Sequence, residues 1–234
     1  MFQRTGLIIG TEGLAKLKKS SVVVFGIGGV GSFTTEALAR AGIGTIKIID
    51  SDVIDISNIN RQIIATTKDI GKDKIEVMKR RIEDINPFCN VIAEKIFVDE
   101  KNVDDILDES FSYVVDAIDS VSSKIAIINW CDKNNVNIIS SMGTGNKLDP
   151  TKFKISDIYK TKVCPLARVM RKKLKEINIE KLKVLYSEEE PKKACRIGDK
   201  IVPGSISFVP PVAGMIIAGE VIKDILNINQ GENK

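Results

Sequence analysis

Two rhythms alternate along the 234 residues. Short apolar runs, Val22-Val-Val-Phe25 and Thr45-Ile-Lys-Ile-Ile49 first among them, read as strands of a buried sheet. Between them apolar residues recur three and four apart, the spacing of a helix with one buried face. Ser32 to Ala41 sets Phe33, Ala37, Leu38 and Ala41 inward, and Gly42 and Gly44 end it. Lys72 to Ile85 does the same with Ile75, Met78, Ile82 and Ile85, and stops at Asn86-Pro87. Val91 to Phe97, Ser112 to Ser120 and Asn137 to Ser141 supply three more strands. A short helix at Lys101 to Leu107 and a longer one at Lys124 to Asn134 separate them; Trp130 and Cys131 are expected as packing residues. The pattern predicts an α/β fold, Rossmann-like, with a mostly parallel sheet and helices on both faces.

The rhythm changes at both ends. Phe2 to Gly10 reads as a short polar lead with an apolar patch, followed by a short helix from Glu12 to Leu17. Beyond Asp149-Pro150 the alternation stops. Lys152 to Ile158 is expected as an added strand. Pro165 to Ile177 is expected as an amphipathic helix with Leu166, Val169, Met170, Leu174 and Ile177 on its apolar face, and Glu188 to Gly204 as a mobile loop. Val212 to Leu226 reads as an apolar helix that returns to the core. The chain is expected to form one domain, 1–234, with 150–205 as an insertion and 206–228 as the returning helix.

Candidate chemistry collects at the strand ends. Gly26-Ile-Gly28-Gly29-Val-Gly31 follows the first strand and opens a helix, so its backbone N–H groups face outward at the positive end of a dipole, a site for phosphate. Gly26 allows the turn, Gly28 the approach of phosphate, and Gly31 the close packing of helix on strand. Asp50 ends the second strand, where a ribose hydroxyl would be held. Asp50 to Gln62 then crowds Asp50, Asp52, Asp55, Ser57, Asn58, Asn60, Arg61 and Gln62 into thirteen residues. Acids and amides suit hydroxyls and metal; Arg61 suits phosphate oxygens. Lys74 lies in a first helical turn, off the apolar stripe, where a bound anion would offset its clash with the dipole. Asp116 and Asp119 end the fourth strand and are candidates for metal or substrate contact, while Asp119 or Ser120 could also cap the next helix. Ser141 to Gly145 could close over the site.

Composition removes several alternatives. The chain has no histidine, which excludes Ser-His-Asp and Cys-His catalysis and any zinc site with a His ligand. Its four cysteines, Cys89, Cys131, Cys164 and Cys195, form no C-x-x-C pair. No signal-peptide pattern opens the sequence and no apolar run is long enough for a bilayer, so a cytoplasmic protein with no membrane contact is expected. The net charge is +4, yet thirteen Lys and Arg against six Asp and Glu fall between Lys160 and Lys200. Arg168, Arg171, Lys172 and Lys175 share one helix face there and point to an anionic partner such as RNA; a solvated face is the alternative.

Taken together, Gly26-x-Gly-Gly-x-Gly31, Asp50-x-Asp52, Ser57-Asn-x-x-Arg61-Gln62, Lys74 and Asp119 resemble the adenylating superfamily of the ThiF/MoeB/HesA type, whose members bind ATP and magnesium and adenylate a carboxylate. Phe2-Gln-Arg4-Thr, Asn60-Arg-Gln-Ile63, Asp116-Ala-Ile-Asp-Ser120, Ser140-Ser-Met-Gly143 and Asp149-Pro-Thr-Lys-Phe153 resemble its branch of tRNA threonylcarbamoyladenosine dehydratases. That resemblance implies a homodimer that cyclises, at the expense of ATP, the threonylcarbamoyl group beside the anticodon of certain tRNAs. It implies that Gly29, Asp50, Ser57, Asn58, Arg61, Lys74 and Asp119 contact ATP or its Mg2+, with Asp119 on the metal, and that Arg4 reaches a nucleotide, across the dimer in one arrangement. Arg61, Lys74 and Asp119 would serve the chemical step. Asp119-Ser120 stands where many protein-activating relatives have Asp-Asn. Two rivals are an adenylating enzyme for a ubiquitin-like sulfur-carrier protein, which would leave a sulfur-transfer partner open and give Cys164 or Cys195 a role, and a nicotinamide oxidoreductase, which gives no reason for Arg61, Gln62 or Lys74.

Overall fold

A computed structural model describes residues 1–193, 195–197 and 200–228; the side chains of 194–202 lie outside that description. Seven strands form one sheet: β1 (Ser21–Phe25), β2 (Thr45–Ile49), β3 (Asn90–Glu94), β4 (Tyr113–Asp116), β5 (Ile138–Ser141), β6 (Phe153–Asp157) and β7 (Lys183–Ser187). Their order across the sheet is β3-β2-β1-β4-β5-β7-β6. Every pairing is parallel except that of β6 with β7.

The central strand shows why apolar runs and not alternation mark this sheet. Val22, Val23, Val24 and Phe25 are all fully buried. Val22 and Val24 face one core and Val23 and Phe25 the other. Each such side chain contributes roughly 1.5–3 kcal/mol relative to an exposed one. The first core is closed by α1 (Gln3–Lys19), α2 (Gly31–Ala41), α3 (Lys74–Ile85) and α7 (Val209–Leu226), through Leu17, Leu38, Met78, Ile82, Ile217 and Val221. The second is closed by α4 (Val103–Ile106) and α5 (Val121–Lys133), whose Trp130 and Cys131 pack as expected. A third cluster joins α6 (Pro165–Glu176) to β7.

Four features differ from the sequence reading. Helix α1 begins at Gln3, with Gly10 at φ 73° as an internal kink. Its glycines weaken helical propensity, and Leu17 is its buried residue, so no stripe announced it. Residues 150–205 do more than insert: β7 enters the sheet between β5 and β6, and β6 is the edge. On α6 the buried face is Ala167, Met170 and Leu174, whereas Val169 and Ile177 are exposed. Within Glu188 to Gly204, β8 (Cys195–Ile197) and β9 (Lys200–Val202) pair as an antiparallel hairpin.

Helix α7 crosses α2 very closely. A Cβ on Gly214 would lie 2.3 Å from the Val30 carbonyl oxygen and 3.0 Å from Phe33 Cβ. Thr34 Oγ1 donates to the Gly214 carbonyl at 3.1 Å. The last helix therefore seats the first turn of the helix that follows the glycine turn.

Candidate active site

A cleft of about 590 Å3 opens beyond the carboxyl ends of β1, β2, β4 and β5. The glycine turn forms its floor. Gly26 sits at φ 85°, where a side chain would be strained and would meet the Ala117 carbonyl at 2.8 Å. A Cβ on Gly31 would fall 1.7 Å from the Gly26 carbonyl oxygen, so this contact between strand end and helix start requires glycine. Gly28 faces open space, with Gln62 Nε2 at 3.9 Å from its added Cβ. The ladder of α2 opens with Ser32 N donating to Gly28 O at 3.1 Å, which leaves the preceding N–H groups at the positive end of the helix.

Asp50 is held in place before any ligand arrives. Its Oδ2 accepts Ile27 N–H at 2.6 Å and its Oδ1 accepts Asp52 N–H at 2.8 Å. Burial raises its pKa above the ordinary carboxylate value, against the opposing pull of Lys74 and of these N–H donors. Lys74 is not the solvated lysine of a helix surface. It is 5 % exposed, and its ammonium lies 2.7 Å from Asp52 Oδ2 and 3.8 Å from Asp50 Oδ1. Part of the anion that the sequence argument sought for Lys74 is thus the carboxylate of Asp52.

The polar block after β2 folds on itself. Asn58 is buried and its Oδ1 accepts Asp55 N–H at 3.1 Å, while Asp55 Oδ1 accepts Ser57 N–H at 2.8 Å. Arg61 NH1 donates to the Ser57 carbonyl at 2.8 Å and to Asn60 Oδ1 at 3.0 Å, which turns the guanidinium toward the cleft. Gln62 is buried beside it and lines the cleft too. Ser57 and Asn60 support Arg61 from behind and do not line the cleft. On the opposite side, Asp119 is exposed at the cleft, and Ser120 caps α5 by accepting Ser123 N–H.

One expectation needs correction. Asp116 is fully buried, paired with Lys124 at 3.0 Å and bonded to Ser140, so it ties β4, β5 and α5 together and does not face substrate. Lys124 also donates to the Ser141 carbonyl at 2.8 Å, anchoring the loop that follows. Arg4 lies exposed on α1 and is absent from the lining of its own chain's cleft. The loop Ser141 to Gly145 does form one wall, as its position after β5 predicted. Sequence reasoning missed Ile96 to Val98, Leu166, Pro203 to Ser205 and Pro210, which complete the lining. Pro210 packs on the glycine turn, where an added Cβ on Gly29 would meet its Cβ at 2.9 Å. The remainder reach the cleft by tertiary contact.

A second cleft of about 810 Å3 opens at the other end of the sheet, between the C-termini of α5 and α7. Its charges satisfy one another: Lys183 bonds Asp224 at 2.6 Å and Glu220 at 3.0 Å, and Tyr113 bonds Asp224 at 2.6 Å.

A glycine turn at the carboxyl edge of a mostly parallel sheet, an acid on the next strand and two cations beside the turn are the features of a nucleotide-binding α/β protein. The chain belongs to the ThiF family, whose model matches residues 2–234. It is 45 % identical over 239 residues to the tRNA threonylcarbamoyladenosine dehydratase of Bacillus subtilis, covering 96 % of this chain and 94 % of that one. Among solved structures it resembles the Escherichia coli tRNA N6-threonylcarbamoyladenosine dehydratase in complex with AMP, with TM-score 0.90, 35 % identity and coverage of 97 % and 94 % of the two chains. The same enzyme in complex with ATP matches with TM-score 0.89 and 34 % identity.

Proposed function

We propose that this chain is an ATP-dependent tRNA threonylcarbamoyladenosine dehydratase. The observation that carries the reading is the cleft itself: Arg61 and Lys74 flank a phosphate-binding turn, and no cysteine lines it among the described residues. Asp50 holds the ribose, while Gly29, Asn58, Arg61, Lys74 and Asp119 serve the phosphates and their metal, with Ser57 and Asn60 holding the Arg61 guanidinium from behind. An oxygen of the substrate carboxylate attacks the α-phosphorus of ATP, and pyrophosphate leaves. Arg61 and Lys74 offset the charge that grows on it. The neighbouring carbamoyl oxygen then attacks the activated acyl carbon, AMP leaves and the ring closes with loss of the N–H proton. Proximity within one substrate drives this step, and no protein nucleophile is required.

Mg2+ fits the donor set in one way. No group of three His, Cys, Asp or Glu side chains suited to a metal occurs among the described residues, so the ion would be held by Asp119 together with phosphate oxygens. It would lower the charge on the departing pyrophosphate. The tRNA surface of this reading is α6, where Arg168 and Lys172 are exposed and Lys175 stacks over the Tyr159 ring at 5.8 Å. Arg171 contributes less freely, because its guanidinium is bonded to Thr161. A homodimer is part of the proposal: Leu7 and Ile8 on α1 are 83 % and 86 % exposed, close to Arg4, which would then reach the partner's nucleotide. A cytoplasmic setting follows from a tRNA substrate, and no helix among the described residues is long and apolar enough to cross a membrane.

The test incubates purified protein with ATP and tRNA bearing the linear modification, and reads the nucleoside by mass. Loss of one water, dependent on ATP, is expected. Absence of that loss, together with ATP–pyrophosphate exchange triggered by a ubiquitin-like sulfur carrier, would overturn the assignment in favour of a protein-activating enzyme.

A further inference from the structure

Two buried polar atoms in the cleft have no hydrogen-bond partner among the described residues: Gln62 Oε1 and Ser205 Oγ. Both residues line the cleft, and Gln62 is only 6 % exposed. Native proteins rarely leave such atoms unmet, and in a cleft water or a ligand meets them.

Their placement narrows the ligand. The Ser205 carbonyl accepts Asn60 Nδ2 at 3.0 Å, and Asn60 Oδ1 in turn accepts Arg61 NH1 at 3.0 Å. Ser205 therefore stands one side chain from the guanidinium, at the phosphate end of the cleft. Its neighbour Gly204 is fixed from the other side. Gly204 N donates to Asn146 Oδ1 at 2.6 Å, and Asn146 N donates to Gly204 O at 2.8 Å. Asn146 also accepts Lys192 N–H at 2.8 Å, so one residue at φ 60° clamps both stems of the β8–β9 hairpin at the lip of the cleft.

A triphosphate at neutral pH offers acceptors, and the Gln62 carbonyl oxygen is an acceptor as well. The phosphate end of ATP cannot satisfy it. The second substrate carries N–H and O–H donors that can. We propose that Gln62 and Ser205 form a station for the neutral end of the acyl substrate, binding its ureido N–H groups and the hydroxyl next to the carboxylate that is activated. This rests on the dehydratase reading and assigns Gln62 to the acyl partner rather than to the nucleotide. Holding the ureido group there orients its carbonyl oxygen toward the acyl carbon, the geometry that ring closure needs. Gln62 and Ser205 act as positioning residues of the second step. Without them the adenylate persists until water takes it, returning the open carboxylate and AMP.

The readout is ring formed per AMP released, with ATP affinity measured in parallel. Ser205→Ala and Gln62→Leu are expected to lower that ratio about tenfold, to raise the half-saturating tRNA concentration and to change the ATP dissociation constant less than about twofold. Ser205→Thr, which keeps the hydroxyl, should restore the ratio. An unchanged ratio in both variants would overturn the station, as would a tenfold loss of ATP affinity, which would return the pair to the nucleotide. Wild-type protein that makes no ring at all would overturn the dehydratase reading, and the station with it.

Discussion

Lys74 shows how one side chain can be structural at rest and chemical in use. Its ammonium neutralises Asp50 and Asp52 before nucleotide binds. Lys74→Ala and Arg61→Ala are expected to lower the rate of ATP–pyrophosphate exchange about 10²- to 10³-fold, the scale for removing one preorganised transition-state contact. Wild-type exchange in both variants, with circular dichroism showing a native fold, would remove these residues from the chemical step. Lys124 makes a different case. Its charge is buried against Asp116, and Lys124→Met would leave that carboxylate unpaired, at a cost of about 3–5 kcal/mol. Urea unfolding checks this, and adding Asp116→Asn should recover part of the loss. Residue identities pointed to Gly26, Asp50 and Arg61, which line the cleft, because the chemistry expected of them depends on type and spacing. They misplaced Asp116, since an acid at a strand end looks like a ligand until the lysine eight residues later folds back on it.

At the scale of elements, the sheet and its flanking helices were readable wherever local pattern and global position agree. Helix α3 is one such case, with Ile75, Met78 and Ile82 buried as their spacing required. Strand β7 was missed because its fully apolar stretch is two residues, Val184-Leu185, and its partners β5 and β6 lie more than twenty-five residues away in sequence. The close crossing of α7 on α2 was equally silent, because it depends on the missing side chain of Gly214. Gly214→Ala is expected to force the two helices apart and to cost about 1–3 kcal/mol, with weaker ATP binding because Val30 begins α2. Thermal denaturation and nucleotide titration measure both. On α6, reversing Arg168, Lys172 and Lys175 to Glu should weaken tRNA binding and flatten its dependence on salt, while ATP affinity stays within about twofold. An unaltered salt slope would leave α6 as a solvated face.

One pH-dependent network of the whole molecule lies at the end of the sheet away from the nucleotide. Burial acts against ionisation at both Glu220 and Lys183, but their mutual contacts, with Lys223 and Asp224, outweigh it. Glu220 is held below its ordinary 4.5, so its contribution is complete above that pH and is lost as pH falls through the lower folded value. Lys183 is held above 10.5, so its contribution is complete below that pH and is lost as pH rises through the higher folded value. The network's contribution to melting temperature should therefore be sustained between these bounds, and Lys183→Met should lower the melting temperature there and shrink the loss at both ends. An identical pH profile in the variant would show that the network contributes nothing to stability. The α2–α7 crossing also sets an order of events during synthesis. Arg61, Lys74 and Asp119 are translated well before Val209, yet the glycine turn they serve leans on a helix made after all of them. A nascent chain halted at residue 205 would hold the nucleotide chemistry without its foundation, so competence for ATP waits until α7 has been made.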